Sequence, residues 1–351
     1  MGIGRFDSDV VVIGGGPGGC ATAITCASMG LRVVLLEKNV FPSERPGETL
    51  HPGVESVLSQ LGIGDRLASV VGSRHAGIRI EWGKTKRFEF YGEDENGPWL
   101  GFQVWRADFD AMLLERARDL GVEILQPCTA IEVLMNAGSV EGVNTSVGPV
   151  CAPIVVDASG RTHWLGSALR IKRKVFSPSL VARYGYATGS VPDLDLAPLI
   201  VGDQAGWLWK AMIRPGLYQW TQVTLDGTRL PRDWRPEEFR GLVPRGKPRG
   251  ADVTWRLADV TARPGWFSVG DAAGVLDPTS ANGVLRALLS GITAGKLAAG
   301  VRNGSLPPKE AAAIHNTWFL EWFYTASDKL WEFYRDLGAI GFADASSILP
   351  R

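Results

Sequence analysis

The sequence predicts an α/β fold in which a parallel-sheet unit opens the chain, is interrupted by an antiparallel sheet, resumes late, and is followed by a helical tail. Three observations carry that expectation. Residues 9–37 run from a short apolar stretch through a glycine-rich turn and a small-residue helix to a second apolar stretch, which is a βαβ unit. Residues 76–105 and most of 172–256 alternate polar with apolar side chains and are cut by Gly, Pro and Asn-Gly, the pattern of antiparallel strands. Buried-strand character returns at Trp266–Asp271, ahead of a long small-residue helix at 283–301.

A length of 351 residues fits one large or two interleaved units with an ample core. Hydrophobic residues make up 45% and charged residues 21%, with 37 basic against 37 acidic side chains. That balance excludes a disordered chain and argues against a nucleic-acid or membrane binder that works by bulk charge. Glycine, at 43 residues, exceeds its usual share of about 7% and points to tight turns and close backbone approaches. The cysteines Cys20, Cys26, Cys128 and Cys151 have no CxxC spacing and are read as reduced. The opening residues resemble neither a signal nor a transit peptide, and the weakly polar stretch 281–301 carries Arg286 and Lys296, a poor membrane span. A cytoplasmic protein is the expectation.

The elements follow in order. Residues 9–14 read as a strand, 20–29 as a helix ending at Gly30, and 31–36 as a strand ending at Glu37. From Arg106, Phe109, Met112, Leu113 and Ala117 share one face of a helix that stops at Gly121, with Asp108 placed to cap it. A strand at 122–125, a hairpin at 130–135 and 140–147, and a buried strand at 154–157 come next. The Pro-, Arg- and Gly-rich stretch 231–250 reads as an exposed loop. After Pro307-Pro308 a helix runs to about Leu337, with Trp318, Phe319, Trp322 and Phe323 on a broad apolar face that either packs on the second sheet or serves as a lid. Residues 1–75, 106–170 and 258–305 are assigned to the parallel unit, 76–105 and 171–257 to the antiparallel one, and 306–351 to the helical tail.

Gly14, Gly16 and Gly19 form GxGxxG between a strand and a helix. The first glycine allows the tight turn, the second admits a pyrophosphate to the backbone, and the third lets helix and strand pack closely. The phosphates meet the unpaired N–H groups and positive end of the helix. Glu37, 18 residues beyond Gly19, ends the second strand where a carboxylate accepts hydrogen bonds from a ribose. The unit is thus Rossmann-like and binds a dinucleotide, NAD or FAD.

Three distant segments resemble the FAD-dependent oxidoreductases of the aromatic-hydroxylase fold, which include flavin monooxygenases, geranylgeranyl reductases and flavin-dependent halogenases. Trp105-Arg106-Ala-Asp108-Phe-Asp110 resembles the family's helix start whose arginine lies near FAD. A cation there opposes the helix dipole, so an anionic partner is expected for Arg106. Asp157-Ala-Ser-Gly-Arg161 resembles a loop in the form seen in halogenases and reductases. Ser268-Val-Gly270-Asp271-Ala-Ala-Gly274, with Asp277-Pro278 and Gly283-Val284, resembles the segment whose aspartate meets ribityl or ribose hydroxyls and whose next helix points at the flavin. Arg45, Ala130, Asp157, Asp271, Pro278, Gly283 and Val284 therefore join Gly14, Gly16, Gly19, Glu37 and Arg106 as the residues assigned to FAD.

The resemblance leaves several uses of the flavin open. A monooxygenase acting through reduced flavin and O2 on an aromatic or apolar substrate is the first choice, with Glu48, His51 and His75 as candidate catalytic groups. Halogenation is the alternative raised by Pro46-Gly-Glu-Thr49 and by Trp207 and Trp209. The stretch that aligns with the halogenase lysine, however, presents His75 beside Arg74, and the tryptophan-halogenase glutamate falls near Ser280. Other uses are maturation of a tryptophan-derived quinone cofactor in a partner protein, reduction of a lipid double bond, and a non-catalytic FAD scaffold. No second GxGxxG is present, so NAD(P)H binds transiently or a separate flavin reductase supplies the electrons. No metal is expected.

Overall fold

The computed structural model describes residues 8–225 and 228–342, apart from the side chain of Ser280. At its centre is a six-stranded sheet ordered Glu123–Leu125, Val33–Leu36, Val10–Ile13, Ile154–Asp157, Trp266–Ser268, Ala262–Arg263, parallel except for the last strand. The strands Val10–Ile13, Val33–Leu36 and Ile154–Asp157 are buried throughout, which is why they read as unbroken apolar runs rather than alternating ones.

The helices among the described residues are α1 (Pro17–Ser28), α2 (Gly53–Gln60), α3 (Arg106–Asp119), α4 (Trp164–Ala168), α5 (Gly283–Arg302) and α6 (Pro308–Asp336). α1 starts three residues before the expected Cys20 because Pro17 presets the first-turn φ and lacks the N–H that would go unbonded there. α3 starts at Arg106 as expected, but Trp105 occupies its cap position without a side-chain bond, and Asp108 lies inside the first turn. By length and composition α5 is apolar enough to cross a bilayer. In this fold Leu288, Ile292, Ala294 and Ala298 are instead core residues, packed with Val10, Val12 and Cys20.

The second sheet has seven strands, ordered Val243–Asp252, Val181–Thr188, Leu217–Thr224, Gly206–Arg214, Leu199–Asp203, Gly77–Trp82, Thr85–Phe90. All neighbours are antiparallel except Leu199–Asp203 with Gly77–Trp82. Val243–Asp252 corrects the loop expected over 231–250. Pro244, Gly246 and Pro248 mark a loop only if a strand must be paired on both sides, whereas this one is an edge strand whose ladder is broken opposite Tyr184 and Tyr186. A small sheet of Thr49–Leu50, Gly101–Val104 and Val71–His75 was not anticipated. The apolar face of α6 packs on the large sheet: Phe319, Phe323, Leu330, Trp331 and Tyr334 share a core with Trp207, Trp209 and Trp255.

Candidate active site

A cleft of about 810 Å³ runs from the carboxyl ends of the parallel strands to the inner residues of the seven-stranded sheet, the place where open parallel sheets bind ligands. At its strand end, Gly14 has φ +106°, and a Cβ there would sit 2.4 Å from the Ala158 carbonyl oxygen. A Cβ on Gly19 would sit 1.8 Å from the Gly14 carbonyl oxygen, so strand and helix meet only because both residues are glycine. Gly16 lines the cleft at the start of α1, whose first turn carries neither an acidic residue nor a side-chain cap. Its amides are left for an anion.

Glu37 is 2% exposed. Its Oε2 accepts from the Gly15 N–H at 2.8 Å, and its Oε1 accepts from the Asn39 N–H at 2.9 Å and from Arg45 at 3.1 Å. The carboxylate is thereby fixed while keeping acceptor capacity toward the cleft. Arg45, Ala130, Arg106, Asp271, Pro278, Gly283 and Val284 line the same cleft. Gly19 and Asp157 do not. Asp157 is fully buried and accepts the Ser159 and Leu165 N–H groups at 3.0 and 2.9 Å, which shapes the loop that Ser159 contributes to the wall. The anionic partner expected for Arg106 is supplied within the chain, because its Nε and Nη2 grip Asp110 at 3.0 and 2.8 Å while Nη1 donates to the Pro46 carbonyl at 2.9 Å.

Of the three candidate catalytic residues, only Glu48 reaches the cleft. It is 2% exposed, accepts the Gly47 N–H at 2.8 Å and accepts the hydroxyl of Tyr186 on the large sheet at 2.5 Å. Burial pushes its carboxyl up to about 7, against the bonds from Tyr186 and Gly47 and the Arg106 charge, which pull it down. His75 lies behind the wall, 4% exposed. Its Nδ1–H donates to the Gly77 carbonyl at 3.1 Å, which makes Nε2 the acceptor for the Gln103 amide at 3.2 Å. Gln103 Oε1 in turn accepts from Thr49, a residue of the cleft wall. Burial holds His75 neutral, lowered to about 4. His51 is half-buried, accepts the Gly53 N–H at 3.1 Å and faces Tyr91. Both imidazoles are therefore engaged in packing the small sheet. The side chain of Ser280 falls outside the described residues.

At the sheet end Tyr184, Trp207, Trp209, Gln219 and Thr221 line the cleft, giving a mostly aromatic wall with a few polar groups. Trp207 Nε1 donates to the Tyr334 hydroxyl at 2.8 Å, and that hydroxyl lies 2.7 Å from Thr279 Oγ1, which ties α6 to the turn before α5. Tyr186, Tyr334 and Arg286 were not picked out as site residues from the sequence. A lone arginine in an otherwise small-residue helix was the available signal for Arg286. FAD suits this set: a phosphate-sized backbone cradle, a fixed carboxylate for a ribose, and an extended cleft leading to an aromatic wall.

Comparison with known proteins agrees with the geometry. Residues 9–168 match the family described as FAD dependent oxidoreductase, and residues 93–322 match the family described as Tryptophan halogenase. A flavin-dependent halogenase of Armillaria mellea, armH3, is 27% identical over 89% of this chain and 71% of its own length. The 1H-pyrrole-2-carbonyl-[peptidyl-carrier protein] brominase of Pseudoalteromonas luteoviolacea is 28% identical over 82% of this chain and 76% of its own. Among solved structures, the myxobacterial chondrochloren halogenase CndH superposes with a TM-score of 0.84 at 23% identity, covering 96% of this chain and 85% of that one, a likeness of fold.

Proposed function

The chain belongs to the tryptophan halogenase family and is an FAD-dependent oxidoreductase, and from that premise we propose that it carries out electrophilic halogenation of an electron-rich, aromatic or largely apolar small molecule. One observation carries this reading. The stretch matched to the halogenase family takes in five of the seven strands of the antiparallel sheet, among them those that carry Tyr184, Trp207, Trp209, Gln219 and Thr221 at the aromatic end of the cleft, and the first half of α6, not merely the cofactor-binding start. The order expected from the sequence, oxygenation ahead of halogenation, is thereby reversed.

Bound FAD, once reduced, supplies the electrons with which O2 becomes an electrophilic oxidant. Within the chain, the amides at Gly16 and the first turn of α1 would hold the pyrophosphate, Glu37 the adenosine ribose, and Asp271 the hydroxyls nearer the ring. Tyr184, Trp207 and Trp209 would position an aromatic substrate and keep water out. Glu48, whose carboxyl burial pushes up to about 7, would hold or release a proton at the cleft wall. The electrons would come from a separate flavin reductase or from transiently bound NAD(P)H.

Oxygen transfer is a second reading, favoured by a specific observation. Lys38 is the one lysine among the described residues that line the cleft, and it lies beside Glu37 at the nucleotide end. In the stretch that the resemblance matches to the halogenase lysine, this chain presents His75, whose two nitrogens are both occupied. The test is to supply holoprotein with a flavin reductase, NADH, labelled O2, bromide and a panel of indoles and phenols. A brominated product supports the first reading. A hydroxylated product carrying the label, with none brominated, supports the second, and consumption of reductant without either product overturns both.

A further inference from the structure

We infer that the strand Thr85–Phe90 is a self-pairing edge, through which two copies of this chain join their seven-stranded sheets about a twofold axis at Phe88. The two edges of that sheet are unlike. Val243–Asp252 is guarded: it carries Pro244, Gly246, Pro248 and Gly250, and its ladder is broken opposite Tyr184 and Tyr186. Thr85–Phe90 has neither proline nor glycine, keeps an unbroken register against Gly77–Trp82, and is exposed along its whole length. Phe88 and Phe90, 51% and 46% exposed, stand on one face of it. A lysine on an edge ordinarily repels other strands, but Lys86 is held on Glu81 at 3.0 Å.

The backbone of this edge is open in a defined phase. Arg79, opposite Phe88, sends its N–H away to the Pro198 carbonyl at 2.9 Å, and the Tyr91 N–H bonds the Ala76 carbonyl at 2.9 Å. Bonded and non-bonded pairs alternate along an antiparallel ladder, so Arg87 and Glu89 bond to Gly77–Trp82 while Lys86, Phe88 and Phe90 turn their N–H and C=O groups outward. A second copy satisfies those groups only where these residues meet one another. Centring the pair on Lys86, Arg87 or Glu89 sets like charges directly opposite, and centring it on Phe90 carries Phe88 past the end of the strand. Centring it on Phe88 sets Phe88 against Phe88, Lys86 against Phe90, and Arg87 against Glu89 on both sides of the axis. Arg87 and Glu89, which pair along their own strand at 3.2 Å, thus exchange partners. The exposed acids Glu93, Asp94 and Glu95 lie at the end where the second copy's Lys84 arrives. Such a contact is isologous and closes at two copies.

No residue of Thr85–Phe90 is among the described residues that line the cleft, so pairing is separable from FAD binding. The test is sedimentation velocity of FAD-loaded protein at about 1–100 µM, comparing wild type, Arg87→Glu, Glu89→Arg and the double exchange, with FAD content reporting that each is folded. Wild type is expected to form a dimer that each single reversal weakens by about tenfold or more and that the double exchange restores. Phe88→Cys, mildly oxidised, is expected to cross-link as a dimer, since directly bonded partners lie about 5.5 Å apart at Cα, within disulfide reach. Thr85→Cys, at the far end of the strand, is not. Wild type that stays monomeric over this range overturns the proposal. So does a dimer that the single reversals leave unchanged, that the double exchange fails to restore, or that Phe88→Cys does not cross-link.

Discussion

The hydroxyl of Tyr186, on the seven-stranded sheet, donates to Glu48 Oε1 across 2.5 Å, joining the substrate-side sheet to the loop that carries Gly47 and touches Arg106. Because both groups are buried, the bond places a titratable carboxyl at the seam between the two halves of the cleft.

Glu48 makes stability pH-dependent in a stated direction. Its folded-state pKa is raised from 4.5 to about 7, so its favourable contribution is complete below pH 4.5 and lost as pH rises through about 7. Glu48→Gln is expected to stabilise the apoprotein above pH 7 by about 2–3 kcal/mol relative to wild type, with the difference vanishing below pH 4.5. Denaturant melts of both proteins at the two extremes check this. The buried histidines, lowered by burial, act in the opposite sense on acidification, and they cancel in the comparison.

Tyr334→Phe removes the acceptor for the buried Trp207 indole N–H and the partner of Thr279. An unsatisfied buried donor costs about 1–3 kcal/mol, so the thermal midpoint is expected to fall. Because the same hydroxyl ties α6 to the turn before α5, FAD binding should weaken as well, read by flavin fluorescence.

His75→Lys places an amine where the resemblance to halogenases leads one to expect a lysine, but among groups built for a neutral imidazole. Loss of two buried hydrogen bonds and burial of an unpaired ammonium are expected to destabilise the protein by about 3 kcal/mol. Chemical denaturation measures the loss.

Glu37→Ala strips the fixed acceptor from the nucleotide end and also removes the partner of the Gly15 N–H in the glycine turn. Hydrogen bonds to a carboxylate contribute about 1.5–3 kcal/mol, so the FAD dissociation constant is expected to rise by roughly ten- to a hundredfold. Equilibrium titration of apoprotein with FAD checks it.

What the sequence made legible is what backbone chemistry makes local. Gly14, Gly16, Gly19 and Glu37 belong to one βαβ unit, and the strand leading to Asp271 carries its own apolar signature. The pairs that complete the site are not local. Glu48 and Tyr186 are 138 residues apart, and Thr279 and Tyr334 are 55 apart. No periodicity reports such contacts. Arg106 was legible as a residue in need of an acid, but its partner one helical turn away was overlooked in favour of an external one. The edge strand Val243–Asp252 was hidden because edge position, which makes Pro244 and Pro248 tolerable, is a property of the assembled sheet.

A crystal structure of the FAD-loaded protein tests most directly whether one cleft joins cofactor to aromatic wall. The expected result is an adenosine ribose on Glu37, a pyrophosphate on the amides at Gly16 and the first turn of α1, and a ring near Gly283 and Arg286 facing Trp209. Density for FAD outside this cleft, or with its ring turned away from the seven-stranded sheet, would contradict it.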